Sequence, residues 1–214
     1  MTVEKRNLLV INGSIRGSHG NSGRIVDWAQ RLLAKDKKVG LSLLTLADPM
    51  PAISEVRDLL ASHDGFFVVT GNYWNNGGSA LQRFLEVVTF CENGPEFFGK
   101  PFACAVTMDS VGGIDVASHL HTAFSGLGCW SPPCSTVIIS RVAEEAIQAS
   151  KGKTDDPNED VWRIDDLEIL LNNLVASCHV NHEIWRSWPC RELPVPEGDW
   201  PESGPLDLGS IKFL

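Results

Sequence analysis

Three short polar segments of the chain carry residues able to grip a ligand. The first is Gly13-Ser14-Ile15-Arg16-Gly17-Ser18-His19-Gly20-Asn21-Ser22. Ser14, Ser18 and Ser22 offer hydroxyl donors, Asn21 an amide and Arg16 a cation, so the segment suits a phosphate group. The second is Gly71-Asn72-Tyr73-Trp74-Asn75-Asn76-Gly77-Gly78. Tyr73 and Trp74 are large aromatics on a polar loop, where a flat conjugated ring would give them a stacking partner. The amides of Asn72, Asn75 and Asn76 could address the polar edge of that ring. The third runs from Asp109 and Ser110 to Gly112-Gly113 and allows a close backbone approach to a ligand.

Each segment follows a short apolar run, and that run must position it. Leu8–Ile11, Leu41–Leu46, Gly65–Thr70, Pro101–Thr107 and Thr136–Ser140 read as strands buried on both faces. Between them, apolar residues recur at helical spacing over Ser22–Lys35, Ser54–Ser62, Ser79–Cys91 and Asp115–Leu127, and again from Asp160 to about Trp185. Ser22 is the expected N-cap of the first helix. The acidic stretch Glu144–Asp160 reads as a solvated loop with a helical turn. Strands alternating with helices predict an α/β fold with a doubly wound, five-stranded parallel sheet. In such sheets ligands sit beyond the carboxyl ends of the strands. All three polar segments lie at those ends, and the first also opens a helix, whose N-terminus favours an anion.

Residues 1–187 are read as one domain. Residues 188–214 are read as an extended tail, rich in proline, glycine and acidic residues and carrying Trp188 and Trp200. The tail is either a surface strap on its own domain or an arm reaching a second subunit.

The 214-residue chain carries a formal charge of −9, which argues against a nucleic-acid partner. Neither an export signal nor a membrane-length apolar window is evident, so a cytoplasmic location is expected. Six cysteines lack zinc or cluster spacing and read as free thiols, with Cys104 in the core. No metal site and no catalytic acid–base residue is expected. His19, His119 and His121 lie near the loops but read as ordinary solvated side chains.

The quoted segments together resemble the NADPH-dependent FMN reductase family. The match rests on the first loop, on VVTGNYWNNGGSALQRFLE at Val68–Glu86 and on GKPFACAVTMDSVGG at Gly99–Gly113. It runs in order and spacing from about Asn7 to about Val175. Gly71 stands where the family usually has proline, Gln82-Arg83 replace Lys-Asn, and Glu86 replaces Asp. The resemblance implies a flavodoxin-like fold with non-covalent FMN. Ser14, Arg16, Asn21 and Ser22 would hold the phosphate. Asn72, Tyr73, Trp74 and Asn75 would surround the isoalloxazine, with Gly112 and Gly113 along its other edge. Ser18 and Asp109 complete the candidate set from the residues alone. NADPH or NADH would supply electrons and a small molecule, such as a quinone or free flavin, would accept them. Family members form dimers or tetramers with the site near a subunit boundary, so a homo-oligomer is expected.

Two other readings share the scaffold. One is an electron carrier that binds FMN without using a nicotinamide. The other is a flavin-free interaction protein. A phospho-accepting signalling domain is excluded, because Asn12-Gly13 and Thr70-Gly71 leave no carboxylate at the ends of the first and third strands.

Overall fold

The computed structural model describes residues 5–149, 163–187, 197–201 and 203–204. Strands β1 (Arg6–Asn12), β2 (Val39–Thr45), β3 (Gly65–Gly71), β4 (Phe102–Met108) and β5 (Thr136–Ser140) form one sheet. All pairings are parallel, and the spatial order is β2-β1-β3-β4-β5. The order reverses at β1 and β3. This is the flavodoxin-like doubly wound sheet, and its ligand crevice opens where the strand order reverses.

The helices are α1 (Asn21–Leu33), α2 (Ile53–Ala61), α3 (Ser79–Val87), α4 (Gly113–Leu127), α5 (Arg141–Ala149) and α6 (Asp166–Ser177). Short 3₁₀ turns follow α3 at Val88–Cys91 and α6 at His182–Ile184. The segment from Arg141 differs from expectation, because a helix starts directly after β5. Residues 150–162 of the acidic stretch and 188–196 of the tail lie outside the described residues.

Every residue of β3 is buried, so this strand carries no polar alternation. Edge strand β2 is only half-buried over most of its length. One core packs α2, α3 and α4 on one face of the sheet, and the other packs α1 and α6 on the opposite face. The first holds Phe66, Phe97, Phe102 and Phe124, all at most 1% exposed. Phe102 and Phe124 stack with centroids 4.1 Å apart. Truncating any of the four to alanine should cost about 3–5 kcal/mol. Trp200 joins this core against Phe84, so the described part of the tail lies on its own domain.

Lys100 is 8% exposed at the sheet edge opposite the polar loops. Its Nζ donates to the carbonyls of Leu60 and Ala61 at 2.9 and 3.0 Å and so closes the C-terminus of α2. Burial pushes its ammonium down to about 8.

Candidate active site

The first loop takes its shape from Asn12, a polar residue 1% exposed at the end of β1. Its Nδ2 donates to the Gly17 carbonyl at 2.9 Å, and its Oδ1 accepts from the Ser14 amide at 3.1 Å. The loop delivers the chain to α1 at Gly20. Ser22 does not cap that helix. It sits in the first turn and shares a hydrogen bond with the Thr107 hydroxyl at 3.1 Å instead. No side chain caps α1, and its first turn holds no acidic residue. The amides at this end keep their positive potential.

The second loop is a two-residue reversal. The Tyr73 amide donates to the Asn76 carbonyl at 2.8 Å and the Asn76 amide to the Tyr73 carbonyl at 3.1 Å. Trp74 (φ 53°) and Asn75 (φ 62°) both adopt the left-handed conformation, as a type I′ turn requires. Asn72 ties this loop to the third one, its Nδ2 donating to the Val111 carbonyl at 2.5 Å. Gly112 is at φ 88°, and a Cβ there would collide with Asn75 Oδ1 and Asn72 Nδ2. The two loops are therefore clamped, and only glycine fits at the clamp.

These loops surround a cavity of about 320 Å³ at the carboxyl edge of the sheet. Ser14, Arg16, Asn21, Ser22, Asn72, Tyr73 and Asp109 line it together with Gly20, Gly71, Thr107, Met108 and Arg141. Ser18, Trp74, Asn75, Gly112 and Gly113 stand outside its wall. The Trp74 side chain is 97% exposed. Among the histidines, His119 lines a separate groove between α3 and α4. His121 bonds Ser131 Oγ and Thr136 Oγ1 at 2.7 and 2.6 Å.

Arg141 was not legible as a site residue. It begins α5, and its Nε donates to Asp109 Oδ1 at 2.5 Å while Nη1 reaches Glu145 Oε1 at 2.5 Å. The guanidinium holds the Asp109 carboxyl below the usual carboxylate range. The only sequence signal was a basic residue at the end of a β-strand.

The lining fits a phosphorylated, polar ligand. Arg16, Arg141 and an uncapped helix N-terminus face it, against the single carboxylate of Asp109. Arg141 is paired with Asp109 and Glu145, so Arg16 and the amides at the N-terminus of α1 supply the positive potential at this edge. Hydroxyls of Ser14, Ser22 and Thr107 supply neutral donors. FMN, whose terminal phosphate and polyol chain need such partners, meets a matching donor set here. Among the described residues no group of three or more His, Cys, Asp or Glu side chains could hold a metal, and no helix is long and apolar enough to cross a membrane.

No curated protein matches the chain. Among solved structures, it is similar to RosB with a bound 8-demethyl-8-formylriboflavin-5'-phosphate intermediate. The two are 13% identical with a TM-score of 0.65, over 98% of this chain and 99% of that one. It is also similar to the apo form of the NADH:FMN oxidoreductase EMOB (14% identity, TM-score 0.59, 86% of this chain and 92% of that one). A third is an FMN-dependent NADH-azoreductase from Bacillus anthracis in complex with FMN (11% identity, TM-score 0.59, 79% and 99%). At these identities the likeness is one of fold. The sequence match is to the family model described as NADPH-dependent FMN reductase, over residues 6–144. With well over half of the chain matched, and a crevice at the carboxyl edge of the sheet where such a fold places its ligand, the protein belongs to the NADPH-dependent FMN reductase family.

Proposed function

We propose that this FMN-dependent NAD(P)H oxidoreductase delivers its electrons to a small organic acceptor, a quinone or a free flavin. In this reading Ser14, Arg16, Asn21 and Ser22 hold the FMN phosphate at the N-terminus of α1. Asn72, Tyr73 and Asp109 border the rest of the cofactor, and the Gly112 turn fixes the loop that carries Asp109. FMN, when bound, would supply the redox chemistry, hydride acceptance from the nicotinamide and transfer of two electrons to the acceptor with release or transfer of the proton. The chain itself contributes binding, orientation and an electropositive floor. Arg141 holds the Asp109 carboxylate in place through an ion pair, so the cavity keeps a fixed acceptor beside its donors.

The observation that carries this reading is the uncapped N-terminus of α1 beside Arg16, inside a cavity rich in hydroxyl donors. The test is the visible absorption spectrum after incubation with FMN and gel filtration. Retained flavin is expected, with affinity lost in Arg16→Ala. Anaerobic NADPH or NADH should then bleach the flavin bands. Retained flavin that neither nicotinamide bleaches would make the protein an electron carrier. No retained flavin would leave the interaction scaffold.

Self-association into a dimer or tetramer is part of the same proposal. Light scattering of the purified chain measures it.

A further inference from the structure

The loop after β1 and the loop after β3 are each shaped from within. Asn12 braces the first, and the Tyr73 and Asn76 pair, with the Asn72 bond to Val111, braces the second. Neither set of bonds fixes how far apart the two loops stand. That spacing is decided where β1 and β3 run out side by side, and Thr70 is the side chain at that point.

Thr70 is 0% exposed and is not part of the cavity wall, so it meets no ligand. Its hydroxyl accepts from the Gly78 amide at 3.1 Å. The single hydroxyl proton has two carbonyls within reach, Gly13 at 3.4 Å and Gly71 at 3.2 Å. Gly13 opens the first loop, while Gly71 and Gly78 bound the second. One oxygen atom therefore contacts both ends of the second loop and the root of the first. The Thr70 carbonyl is engaged too, with the Thr107 hydroxyl 3.5 Å away.

Two further features mark this hydroxyl as more than filling. The rest of β3 is Phe, Val and Gly, all buried, and valine would fill the same space without the cost of burying a polar group. The approach it spans also has no slack. A Cβ on Gly78 would stand 2.5 Å from the Gly13 carbonyl oxygen, a backbone atom that cannot swing aside.

We propose that Thr70 is a positioning residue for the flavin, its buried hydroxyl setting the spacing between the loop that holds the phosphate and the loop that borders the ring. This rests on the reading of the cavity as the FMN site. It goes further in naming a side chain, out of reach of the ligand, that registers the two halves of the site. A ligand gripped at both ends gains from finding the second grip already in place, and that gain depends on the spacing. Riboflavin lacks the phosphate and does not draw on it.

The test compares FMN with riboflavin by quenching of flavin fluorescence, without any nicotinamide, on variants shown by circular dichroism to be folded. Wild type should prefer FMN. Thr70→Val removes the hydroxyl at constant shape. Its dissociation constant should rise about tenfold or more for FMN but stay within about threefold of wild type for riboflavin. Thr70→Ser restores the hydroxyl and should bring FMN binding back to within about threefold. Gly78→Ala keeps the hydroxyl and wedges the loops apart, so it should show the same selective loss for FMN. An unchanged preference for FMN in Thr70→Val would overturn the proposal. So would equal losses for both flavins, the mark of general loosening, or a serine variant as weak as the valine one. If Thr70→Val does not fold, an unchanged preference in Gly78→Ala overturns it. If wild type binds neither flavin, the FMN reading itself has failed, and that is seen before any variant is measured.

Discussion

The Ser22 and Thr107 hydroxyls lie 3.1 Å apart and join the first turn of α1 to β4 beneath the cavity. Ser22 is 3% exposed, so its hydroxyl has little access to water. Thr107→Val keeps the shape of the side chain and strands that hydroxyl. The loss of stability should be about 1–3 kcal/mol, the cost of a buried polar group left without its partner. FMN affinity should fall as well, because Ser22 also lines the cavity. Urea unfolding and FMN titration of Thr107→Val, Ser22→Ala and the double variant measure both. Strictly additive losses would show that the contact carries no energy of its own.

Gly23→Ala should go against helix propensity. Within a helix this change normally stabilises by about 0.5–1 kcal/mol. Here a Cβ would run into the Ser18 carbonyl, a backbone atom that cannot swing aside. The first loop would have to lift off α1, carrying Arg16 and Ser14 with it. The expected outcome is a lower melting temperature and at least tenfold weaker FMN binding. A variant that melts higher and binds FMN normally would show that the loop does not depend on this close approach.

The expected elements and the observed ones agree where local pattern decides the outcome. Apolar runs such as Leu8–Ile11 and Gly65–Thr70, each ended by Gly or Asn, gave the strands, and the alternation with helices gave the parallel order. The polar loops fell at the carboxyl edge for the same reason. The misses are tertiary. Ser22 has the residue type of an N-cap, but Thr107, distant in sequence, takes its hydroxyl. Glu144–Asp160 reads as a solvated loop with a helical turn because its charges dominate the local pattern, whereas a helix begins at Arg141, whose role depends on Asp109, a residue of another loop. Trp74, expected beside the ring site, stands exposed outside the cavity described above. Trp74 and Asn75 both have positive φ, and residue type does not report that sign for tryptophan.

The tail contact gives a third prediction. Trp200 is 9% exposed and stacks on Phe84 at 6.0 Å, and the Pro201 carbonyl accepts from Arg83 Nε at 2.7 Å. Gly198 accepts from the Ile53 amide at 3.1 Å. Trp200→Ala should cost about 3 kcal/mol, the low end for losing a large core aromatic. The measurement is the urea midpoint. No change would mean that this part of the chain adds nothing to the stability of the domain.

Lys100 sets a pH dependence whose sign follows from its position. Its pKa is pushed down to about 8 by burial, from an ordinary value of 10.5. Between those values the unfolded chain holds a proton that the folded chain has released. Stability from this group therefore rises with pH through that window, and the burden of a buried cation is complete below about 8. Neutral lysine still donates to the Leu60 and Ala61 carbonyls, so the C-terminus of α2 stays closed. Lys100→Met removes the titration but leaves those carbonyls without their donor at every pH. The variant should be less stable than wild type at pH 7.5, and the gap should widen by pH 10 as wild type sheds its penalty. Paired urea unfolding curves at the two pH values isolate this group, since other titrations are common to both proteins. A gap of constant size would show that Lys100 loses its proton at the same pH in the folded and unfolded chains, and that burial does not depress it.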